Sequence, residues 1–528
     1  MKRAKTTSGR CRYIMSNSDV KQAWAYHNQT KHSQRSVREN MYGLDFSNQP
    51  LPFKIYESLE PINLPRETEQ TGITALAAVS QQFEAGSGEA VPTLTDLARI
   101  LYFSAGITKH KTYPGGEIFF RAASCTGALY EFELYVVCGG LPDLEAGLYN
   151  FGPADFSLRK LRSGDFRSVL VHASANENSV VHAPLTIVCT GTYWRNAWKY
   201  RARTYRHFGW DNGTIVANML ATCHASRLPA RVVCGFIDSE LTTLLDVDPV
   251  REVAFSMIPV GFTMDVVPAA MPELPKLELP VARLSANEIE YPELRTIHQA
   301  SSLETQEEVR NWRGRMPVPI SPQPQSLLVS LNPLPDSALP RDVIEQVVLR
   351  RGSTRRFTRQ SISFAELSTL LESTTTGISA DFLDPLGAQL NDLYLIVNAV
   401  AGLKPGAYVF HRDKHALELL TEGDFRGEAR YLGLQQELPG DAAAAVFFLA
   451  DLDAILSRFG NRGYRAVQLE AGIIGGKLYL GAYTLRLGAT GLTFFDDDVT
   501  NFFSPHAARK SAIFLVAIGK GVKPGSAA

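Results

Sequence analysis

The sequence predicts an α+β protein built from two fused copies of one domain. One observation is an internal repeat: LYVVCGGLPDLEAGLYNFGPADFSLRKLRSGDFR, from Leu134, matches LYLIVNAVAGLKPGAYVFHRDKHALELLTEGDFR, from Leu393. Matched residues such as Tyr135 and Tyr394 are 259 positions apart, and the same offset relates Gly213 to Gly472. A second observation is that helix and strand patterns follow one another in the same order in both copies.

Each copy predicts the same elements in chain order. A helix begins at a capping box, Thr93-x-x-Asp96 in copy one and Ser363-x-x-Glu366 in copy two. Two β-branched strands come next, then a long helix that starts near Tyr205 or Tyr464. The last elements are a short strand and a final strand, which in copy one are RVVCGF and FSMIPVG and in copy two GLTFF and FLVAIG.

The order of these patterns divides the chain into four parts. We predict an N-terminal extension at 1–25, copy one at 26–265, a proline-rich connector at 266–339 and copy two at 340–528. At 528 residues the chain is long enough for two to four domains.

Composition excludes several classes of function. The net charge is -1, from 53 basic and 54 acidic residues, so no global field favours nucleic acid. No apolar run is long enough to span a membrane, and no hydrophobic signal region follows the basic start. The six cysteines form no CxxC pair, so neither a disulfide framework nor a metal site is indicated, and the cytoplasm is the expected location.

The copies differ most at RRGSTRRF, which occupies 350–357 just before the capped helix of copy two. The matching part of copy one, 67–98, contains no lysine or arginine. Arg351, Ser353 and Arg355 alternate, which places them on one side of an extended segment and suits a phosphate. The alternative is an arginine-rich helix end that complements the helix dipole. RSVR at 35–38 has a similar composition, but we expect it to be an ordinary surface segment.

Copy one has two distinctive features of its own. ASCTGALYEFELY, from Ala123, contains a loop of small residues in which Gly127 permits close approach of a flat ligand; a tight turn before a strand explains it equally well. Lys199 and Tyr200 are adjacent, and copy two has Arg458 and Phe459 there. Such a pair suits proton transfer, or is simply an exposed lysine beside a half-buried tyrosine.

Together these motifs resemble the nitroreductase-like flavoproteins, and most closely their SagB-type dehydrogenase branch. Arg351-x-Ser353-x-Arg355-x-Phe357 is similar to the family element that binds the FMN phosphate. The loop Ser124, Cys125, Thr126, Gly127, Ala128, Leu129 and Tyr130 resembles the P-S-A-G-A-L-Y loop that lies against the flavin ring, but departs from it at its first three positions. Lys199-Tyr200 resembles an element over the flavin in azoline-oxidising members. Further cofactor contacts implied by the resemblance are Gly488, Thr490, Gly491 and Lys520.

The resemblance implies an intramolecular pseudo-dimer with one functional FMN site. In the family each flavin lies between two subunits, one of which supplies the phosphate arginines and the other the small-residue loop. Here copy two retains the first set and copy one the second. The expected reaction is dehydrogenation of an azoline-like small molecule or peptide, with Lys199 or Tyr200 as base. An NAD(P)H-dependent reductase of nitro compounds or quinones and a non-catalytic scaffold remain alternatives, and further dimerisation is open.

Overall fold

The structure is a computed structural model that describes residues 16–39, 42–66, 69–80, 88–113, 116–265, 267, 270–314, 324–385 and 388–522. Most of the predicted N-terminal extension, including Cys11, therefore lies outside the described residues. The described cysteines are free thiols.

Strands of the first half and of the second half form separate sheets. The strands of the first half are β1 (Pro61–Asn63), β2 (Ile107–Tyr113), β3 (Gly116–Arg121), β4 (Phe132–Cys138), β5 (Gly147–Gly152), β6 (Ser157–Ser163), β7 (Leu185–Thr192) and β8 (Glu252–Val260). Those of the second half are β9 (Leu328–Ser330), β10 (Ile362–Ser363), β11 (Asp392–Val397), β12 (Val400–Ala401), β13 (Gly406–His411), β14 (Ala416–Glu422), β15 (Ala444–Ala450), β16 (Gly488–Leu492) and β17 (Ser511–Gly519).

The helices are distributed along the whole chain. They are α1 (Lys21–Gln29), α2 (Gln34–Glu39), α3 (Ala75–Ser80), α4 (Leu94–Ala105), α5 (Arg167–Ala173), α6 (Asn178–Val181), α7 (Tyr193–Tyr200), α8 (Thr204–Ala225), α9 (Asp238–Leu245), α10 (Pro292–Ala300), α11 (Gln306–Trp312), α12 (Ile344–Arg350), α13 (Phe364–Thr375), α14 (Arg426–Leu432), α15 (Glu437–Asp441), α16 (Leu452–Phe459), α17 (Arg462–Thr484) and α18 (Asp496–Phe502). Short 3-10 helices occur at Phe46–Asn48, Thr126–Ala128, Arg201–Arg203, Asp336–Ala338 and Arg412–Lys414.

The two main sheets have the same topology. Their strand orders are β1-β6-β5-β4-β7-β8 and, read in the matching direction, β9-β14-β13-β11-β15-β17-β16, so that β16 is the additional edge strand of the second sheet. Neighbouring strands pair antiparallel throughout both sheets. Gly147 opens β5 and Gly406 opens β13, so the 259-residue offset relates equivalent strands. The predicted α+β fold is confirmed.

Local sequence signals place several elements as predicted. Both capping boxes form, because Thr93 and Ser363 each accept a hydrogen bond from the backbone three residues on. The long helices α8 and α17 begin within two residues of the predicted tyrosines. The predicted strand RVVCGF forms only isolated bridges, one of them from Val232 to Ala380 of the other half. Its backbone hydrogen bonds are divided between two partners, so no continuous ladder develops.

Helices α8 and α17 pack against each other at the centre of the molecule. Almost every side chain of both is buried, which explains why neither shows the one-sided apolar stripe of a surface helix. A Cβ on Gly209 would come within 2.3 Å of Gln468, so the small residue is what lets the backbones approach.

Buried ion pairs join the halves in a pseudo-twofold pattern. Arg206 and Arg203 of the first half bind Asp496 of the second at 2.6 and 3.3 Å. Reciprocally, Arg462 and Arg465 of the second half bind Asp238 of the first at 2.6 and 3.1 Å. Equivalent groups therefore meet across the interface in both directions, as in an isologous dimer.

The connector between the sheets is more structured than its proline content predicts. It includes α10, α11 and the edge strand β9, whose Leu328–Ser330 backbone pairs with β14. Arg458 of the second half donates to the carbonyls of Asn311 and Arg313, which fixes the connector against that half.

The N-terminal helix α1 crosses both halves. The Tyr26 hydroxyl donates to the Ala202 carbonyl, and His27 lies 3.2 Å from the Tyr464 hydroxyl. None of the helices in the described ranges is both long enough and apolar enough to cross a lipid bilayer.

Candidate functional site

The arginine-rich segment after α12 is anchored to the edge of the second sheet. The Thr354 amide donates to the Ala489 carbonyl at 2.9 Å, and Phe357 bridges Gly521. Thr354 and Phe357 are buried, whereas Arg355 is exposed. The buried residues therefore fix the backbone of the segment, while the Arg355 guanidinium remains accessible to solvent.

Lys520 lies beside this segment. Its carbonyl accepts a hydrogen bond from the Thr358 amide at 2.9 Å, and its side chain is exposed. In the described part of the chain, neither Arg355 nor Lys520 forms an ion pair. Both cations are available to an anion.

Arg351 takes a different direction from Arg355. Its Nη2 donates to the carbonyls of Arg121 and Ala122 at 3.0 and 2.7 Å. These carbonyls belong to the first half and immediately precede the small-residue loop. The guanidinium of one half therefore lies at the start of the loop of the other half.

The Tyr479 hydroxyl links Ser353 to the glycine-containing strand β16. Its hydroxyl lies 3.3 Å from the Tyr479 hydroxyl, which accepts a hydrogen bond from the Gly491 amide at 2.6 Å. Gly491 is half-buried, but Thr490 is 3% exposed, so the Thr490 side chain faces the interior. A Cβ on Gly488 would come 2.2 Å from Thr354 Oγ1, which explains the glycine there.

The small-residue loop of the first half has an unusual backbone. Gly127, Ala128 and Tyr130 all have positive φ, at 64°, 56° and 52°. This conformation is uncommon for residues with a Cβ, and it persists only where neighbouring contacts hold it. Asp211 supplies such contacts, because its Oδ1 accepts the Thr126 amide at 2.8 Å and the Thr126 hydroxyl at 2.9 Å.

Hydrogen bonds of Cys125 and Ser124 also hold the loop in its conformation. Cys125 Sγ accepts the Tyr130 amide at 3.0 Å and lies 3.3 Å from Glu131 Oε2 and 3.4 Å from Asp211 Oδ2. The Ser124 carbonyl accepts the Thr214 hydroxyl at 2.6 Å. Burial, followed by the nearby carboxylates, raises the pKa of the Cys125 thiol well above its usual range. The thiol therefore stays protonated and serves as a donor.

Asp211 and Glu131 form a buried acid pair beneath the loop. Burial, followed by the charge of Glu131, raises the pKa of Asp211 well above its usual range. The raised pKa favours the protonated form of Asp211, which can donate a hydrogen bond to Glu131. With Cys125 they bring three potential metal donors within 4.8 Å, but all three already bond to one another. A small cavity beside them is lined by Ser104, Arg121, Ala123, Tyr130, Phe132 and Ile215.

Tyr200 lies directly over the loop, at the end of α7. A Cβ on Gly127 would come 2.8 Å from the Tyr200 hydroxyl oxygen. The ring also meets His207 edge-on, with centroids 4.5 Å apart. Burial, followed by the charge of Asp211, raises the pKa of Tyr200. Lys199 is half-buried, with its Nζ 5.4 Å from the centre of the Tyr200 ring.

The structure thus unites some of the predicted residues and leaves others apart. Tyr200 contacts the loop at 124–130, whereas Arg351 contacts the carbonyls of Arg121 and Ala122 directly before it. Arg355 and Lys520 lie on the second half, and among the described contacts neither touches that loop. The exposed arginines of RSVR lie on α2, as a surface segment should.

Sequence reasoning missed the groups beneath the loop. Asp211 and His207 lie in α8, and Glu131 follows the loop directly. Asn196 joins them, since its Nδ2 donates to Glu131 Oε1 at 3.1 Å and its Oδ1 lies 3.0 Å from His207 Nδ1. The available signal was the polar pair Asp211-Asn212 between two glycines of an otherwise apolar helix.

Comparison with known proteins finds similarity to nitroreductases. The model of the nitroreductase family matches residues 348–520, which contain the arginine-rich segment and β16. A candidate nitroreductase of Methanocaldococcus jannaschii is 24% identical over 169 residues, covering 32% of this chain and 80% of that protein.

A solved structure matches nearly the entire chain. It is the crystal structure of a candidate nitroreductase from Anabaena variabilis ATCC 29413, with a TM-score of 0.77, 27% identity, and coverage of 95% of this chain and 99% of the other. A candidate nitroreductase from Ralstonia eutropha JMP134 aligns at 19% identity and a TM-score of 0.31, covering 43% of this chain and 97% of that one. Residues 348–520 are therefore similar to the nitroreductase family, and the whole chain folds as two fused nitroreductase-like domains that form an intramolecular pseudo-dimer.

Proposed function

We propose that the protein is an FMN-dependent oxidoreductase of the SagB-type dehydrogenase kind, with one flavin site between its halves. The observation that carries this proposal is the contact of Arg351 in the second half with the carbonyls of Arg121 and Ala122 in the first. It supports a composite site in which the second half binds the phosphate and the first half covers the flavin ring.

The charged end of FMN fits the arginine-rich segment. Arg355 and Lys520 are exposed cations without ion pairs among the described residues, and the Ser353 hydroxyl belongs to the same segment as Arg355. Arg351 Nε is buried and has no hydrogen-bond partner within the described structure. An unsatisfied buried donor is unfavourable, and a bound anion would satisfy it.

The flat end of FMN fits the loop of the first half. Gly127 has no side chain on the face that Tyr200 covers, and the left-handed backbone of Ala128 and Tyr130 redirects the local N–H groups. Asp211 holds the Thr126 amide, so this backbone is organised before any ligand binds. FMN, when bound, would supply hydride-accepting chemistry there.

Tyr200 and Lys199 can be assigned different roles. Because the pKa of Tyr200 is raised, its hydroxyl keeps its proton at neutral pH and donates hydrogen bonds. It therefore suits stabilisation of negative charge that develops on a substrate, and Lys199 beside it is the other candidate for proton transfer. The raised pKa of Asp211 favours a further proton on that carboxyl group, next to the loop.

The reciprocal site lacks the corresponding groups. At the 259-residue offset, Phe459 replaces Tyr200 and Pro385 replaces Thr126, so both hydroxyls are lost. Glu470 replaces Asp211, but it accepts the amides of Leu390 and Asn391 at 3.0 and 2.8 Å. These differences support one flavin per chain.

We infer that the substrate is a small molecule or peptide with an oxidisable C–H/N–H pair, such as an azoline. The nitroreductase family match favours a second candidate, an NAD(P)H-dependent reductase of nitro compounds or quinones. A non-catalytic scaffold would bind no flavin.

The visible spectrum of the purified protein, with the flavin content per chain, tests the proposal. We expect one FMN per chain; two would refute the single site, and a colourless protein that cannot be loaded with FMN would refute flavin chemistry. Rapid bleaching of the flavin by NADPH identifies the reductase. Lys199→Ala should retain flavin and lose turnover of a dehydrogenase substrate.

A further inference from the structure

Two histidines and a glutamate of the second half form a cluster that the flavin site does not use. His411 ends β13, Glu418 lies in β14, and His506 lies in the turn between α18 and β17. One donor atom from each residue lies within 4.8 Å of the other two. His411 Nε2 and Glu418 Oε2 are the nearest pair, at 2.7 Å.

The side chains are oriented by their remaining polar atoms. Glu418 Oε1 accepts hydrogen bonds from the amides of Gln325 and Ser326 at 2.7 and 2.9 Å. His506 Nδ1 lies 2.8 Å from the Tyr394 hydroxyl. Partners of this kind fix the rotamer and tautomer of metal ligands in proteins.

The remaining nitrogen of His506 has no partner. His506 Nε2 is buried and forms no hydrogen bond within the described structure. His411 is 5% exposed and Glu418 is fully buried.

We propose that His411, Glu418 and His506 bind a divalent transition-metal ion of the Zn²⁺ class. His411 Nε2, Glu418 Oε2 and His506 Nε2 are the ligand atoms. Imidazole nitrogen and carboxylate oxygen bind zinc at about 2.0–2.2 Å, which places donors roughly 3.4 Å apart in a tetrahedral site. Binding of the ion would therefore lengthen the distance between His411 Nε2 and Glu418 Oε2, and shorten the distances from these atoms to His506 Nε2. Side-chain movements of about an ångström are sufficient for both changes.

The ion would connect parts of the chain that are distant in sequence. It links the β13–β14 hairpin to the turn before β17, and three protein ligands leave one tetrahedral position for water. The competing description is two ordinary hydrogen-bonded pairs, His411–Glu418 and His506–Tyr394. That description leaves His506 Nε2 unsatisfied, whereas the metal site satisfies it.

The test uses the full-length protein after chelator treatment, with Co²⁺ as the spectroscopic probe and Zn²⁺ as the stabilising ligand. We expect visible d–d absorption that saturates at one Co²⁺ per chain. We also expect Zn²⁺ at a 100-fold excess over its Kd to raise the folding equilibrium constant about 100-fold. His411→Gln and His506→Gln should abolish both effects.

The matched control is His415→Gln, since His415 is exposed in the turn of the same hairpin. It should titrate like the wild type. Failure of the wild-type protein to bind stoichiometric Co²⁺ overturns the proposal, and this measurement does not depend on the folding of any variant. A signal that survives in His506→Gln, or one with the intense near-ultraviolet band of a cobalt thiolate, also overturns it.

Discussion

Gly213 and Gly472 lie back to back where α8 crosses α17, so that a Cβ on Gly213 would come 2.5 Å from Gly472 Cα. The two glycines are equivalent positions of the repeat, 259 residues apart. Each copy therefore contacts its own counterpart, which occurs only on a twofold axis. The pseudo-dimer axis passes between these residues.

This contact predicts that Gly472→Ala strongly destabilises the protein. The added Cβ would come within 2.5 Å of the Gly209 carbonyl oxygen and 2.7 Å of the Trp210 carbonyl oxygen, so the helices must separate. Overpacking of this kind costs about 1–3 kcal/mol, or more where backbone atoms are the obstacle. Urea unfolding of the purified variant measures the loss.

Gly427→Ala provides the control. Gly427 also lies in a helix, α14, but a Cβ there would meet nothing within 4 Å. Because alanine is the better helix former, this variant should be as stable as the wild type or gain up to about 1 kcal/mol. Equal destabilisation by both substitutions would show that the loss in Gly472→Ala does not come from the contact between α8 and α17.

The repeat made the fold predictable, and local chemistry made much of each copy predictable. A fixed offset identifies equivalent strands without any knowledge of their contacts, and the capping boxes at Thr93 and Ser363 depend only on neighbouring residues. The connector was less predictable, because β9 forms only through its pairing with β14, some 90 residues away. Long-range pairing leaves no local signal in a short strand.

The candidate site was predictable only where its residues belong to a short sequence motif of recognisable composition. Arginines in RRGSTRRF and glycine in the loop are recognisable as residue types. Asp211 and Glu131 are not, since their importance comes from burial and from the 2.8 Å bond to the Thr126 amide. Both are consequences of the tertiary structure.

The exposed cation Arg355 predicts the effect of charge reversal on cofactor binding. Arg355→Glu should weaken FMN binding at least about 100-fold, because a charge-assisted hydrogen bond worth about 1.5–3 kcal/mol is lost and a like charge is introduced. Stability should change little, since Arg355 is exposed and forms no ion pair within the described residues. Titration of apoprotein with FMN, followed by flavin fluorescence, gives both affinities.

Arg38→Glu is the matched control for charge. Arg38 belongs to the other arginine–serine segment, RSVR, and is exposed on α2. The variant carries the same change in net charge and should bind FMN like the wild type. If both variants lost affinity to the same extent, a general charge effect would explain the result and the phosphate assignment would be wrong.

The close approach of Tyr200 to Gly127 predicts a coupled pair of substitutions. Gly127→Ala should disrupt the loop, because its φ of 64° is unfavourable for alanine by about 1–2 kcal/mol and its Cβ would lie 2.8 Å from the Tyr200 hydroxyl oxygen. Adding Tyr200→Phe removes that oxygen. The double variant should therefore recover part of the lost stability, with a coupling of roughly 0.5–3 kcal/mol.

Thermal or urea unfolding of the four proteins in this cycle measures the coupling. Gly88→Ala is the control, since Gly88 is exposed and a Cβ there would meet nothing within 4 Å. Strict additivity of Gly127→Ala and Tyr200→Phe would contradict the contact.

The buried ion pairs between the halves predict acid sensitivity. Burial alone would raise the pKa of Asp496, but Arg203 and then Arg206 outweigh it and hold the pKa well below its usual range. Asp238 has a lowered pKa for the same reasons, through Arg462 and then Arg465. A carboxylate with a depressed folded-state pKa contributes stability above its unfolded-state pKa of about 3.9 and loses it as the pH falls further.

We therefore expect the free energy of unfolding to fall steeply below about pH 4, because protonation of Asp496 and Asp238 removes the ion pairs between the halves. Asp496→Asn should remove part of this dependence and destabilise the protein at pH 7 by about 3–5 kcal/mol, because Arg206 is left buried without its anion. Asp497→Asn is the control, since Asp497 is exposed on the same helix. Urea unfolding from pH 3 to 7 measures all three proteins, and parallel curves for wild type and Asp496→Asn would exclude this carboxylate as the source.

Lys477 predicts a second rise of stability with pH, in the alkaline range. It is 4% exposed in α17, donates to the Thr376 carbonyl, and occupies the position that Asn218 has in the first half. Burial, followed by the charge of Arg412, lowers its pKa to about 7. Between this value and its usual pKa of about 10.4, the unfolded chain binds more protons than the folded one. Stability therefore rises with pH in that window, by at most about 1.4 kcal/mol per pH unit.

Lys477→Met should abolish this rise, because methionine fills similar space and does not titrate. We expect the difference in unfolding free energy between wild type and Lys477→Met to narrow or reverse in favour of the wild type as the pH rises from 7 to 9.5. Lys404→Met, at a lysine whose side chain is 67% exposed, should show a constant difference over the same range. Taking differences cancels the titration of the buried tyrosines, which is common to all three proteins. A pH-independent difference for Lys477→Met would contradict a lowered pKa of Lys477 in the folded protein.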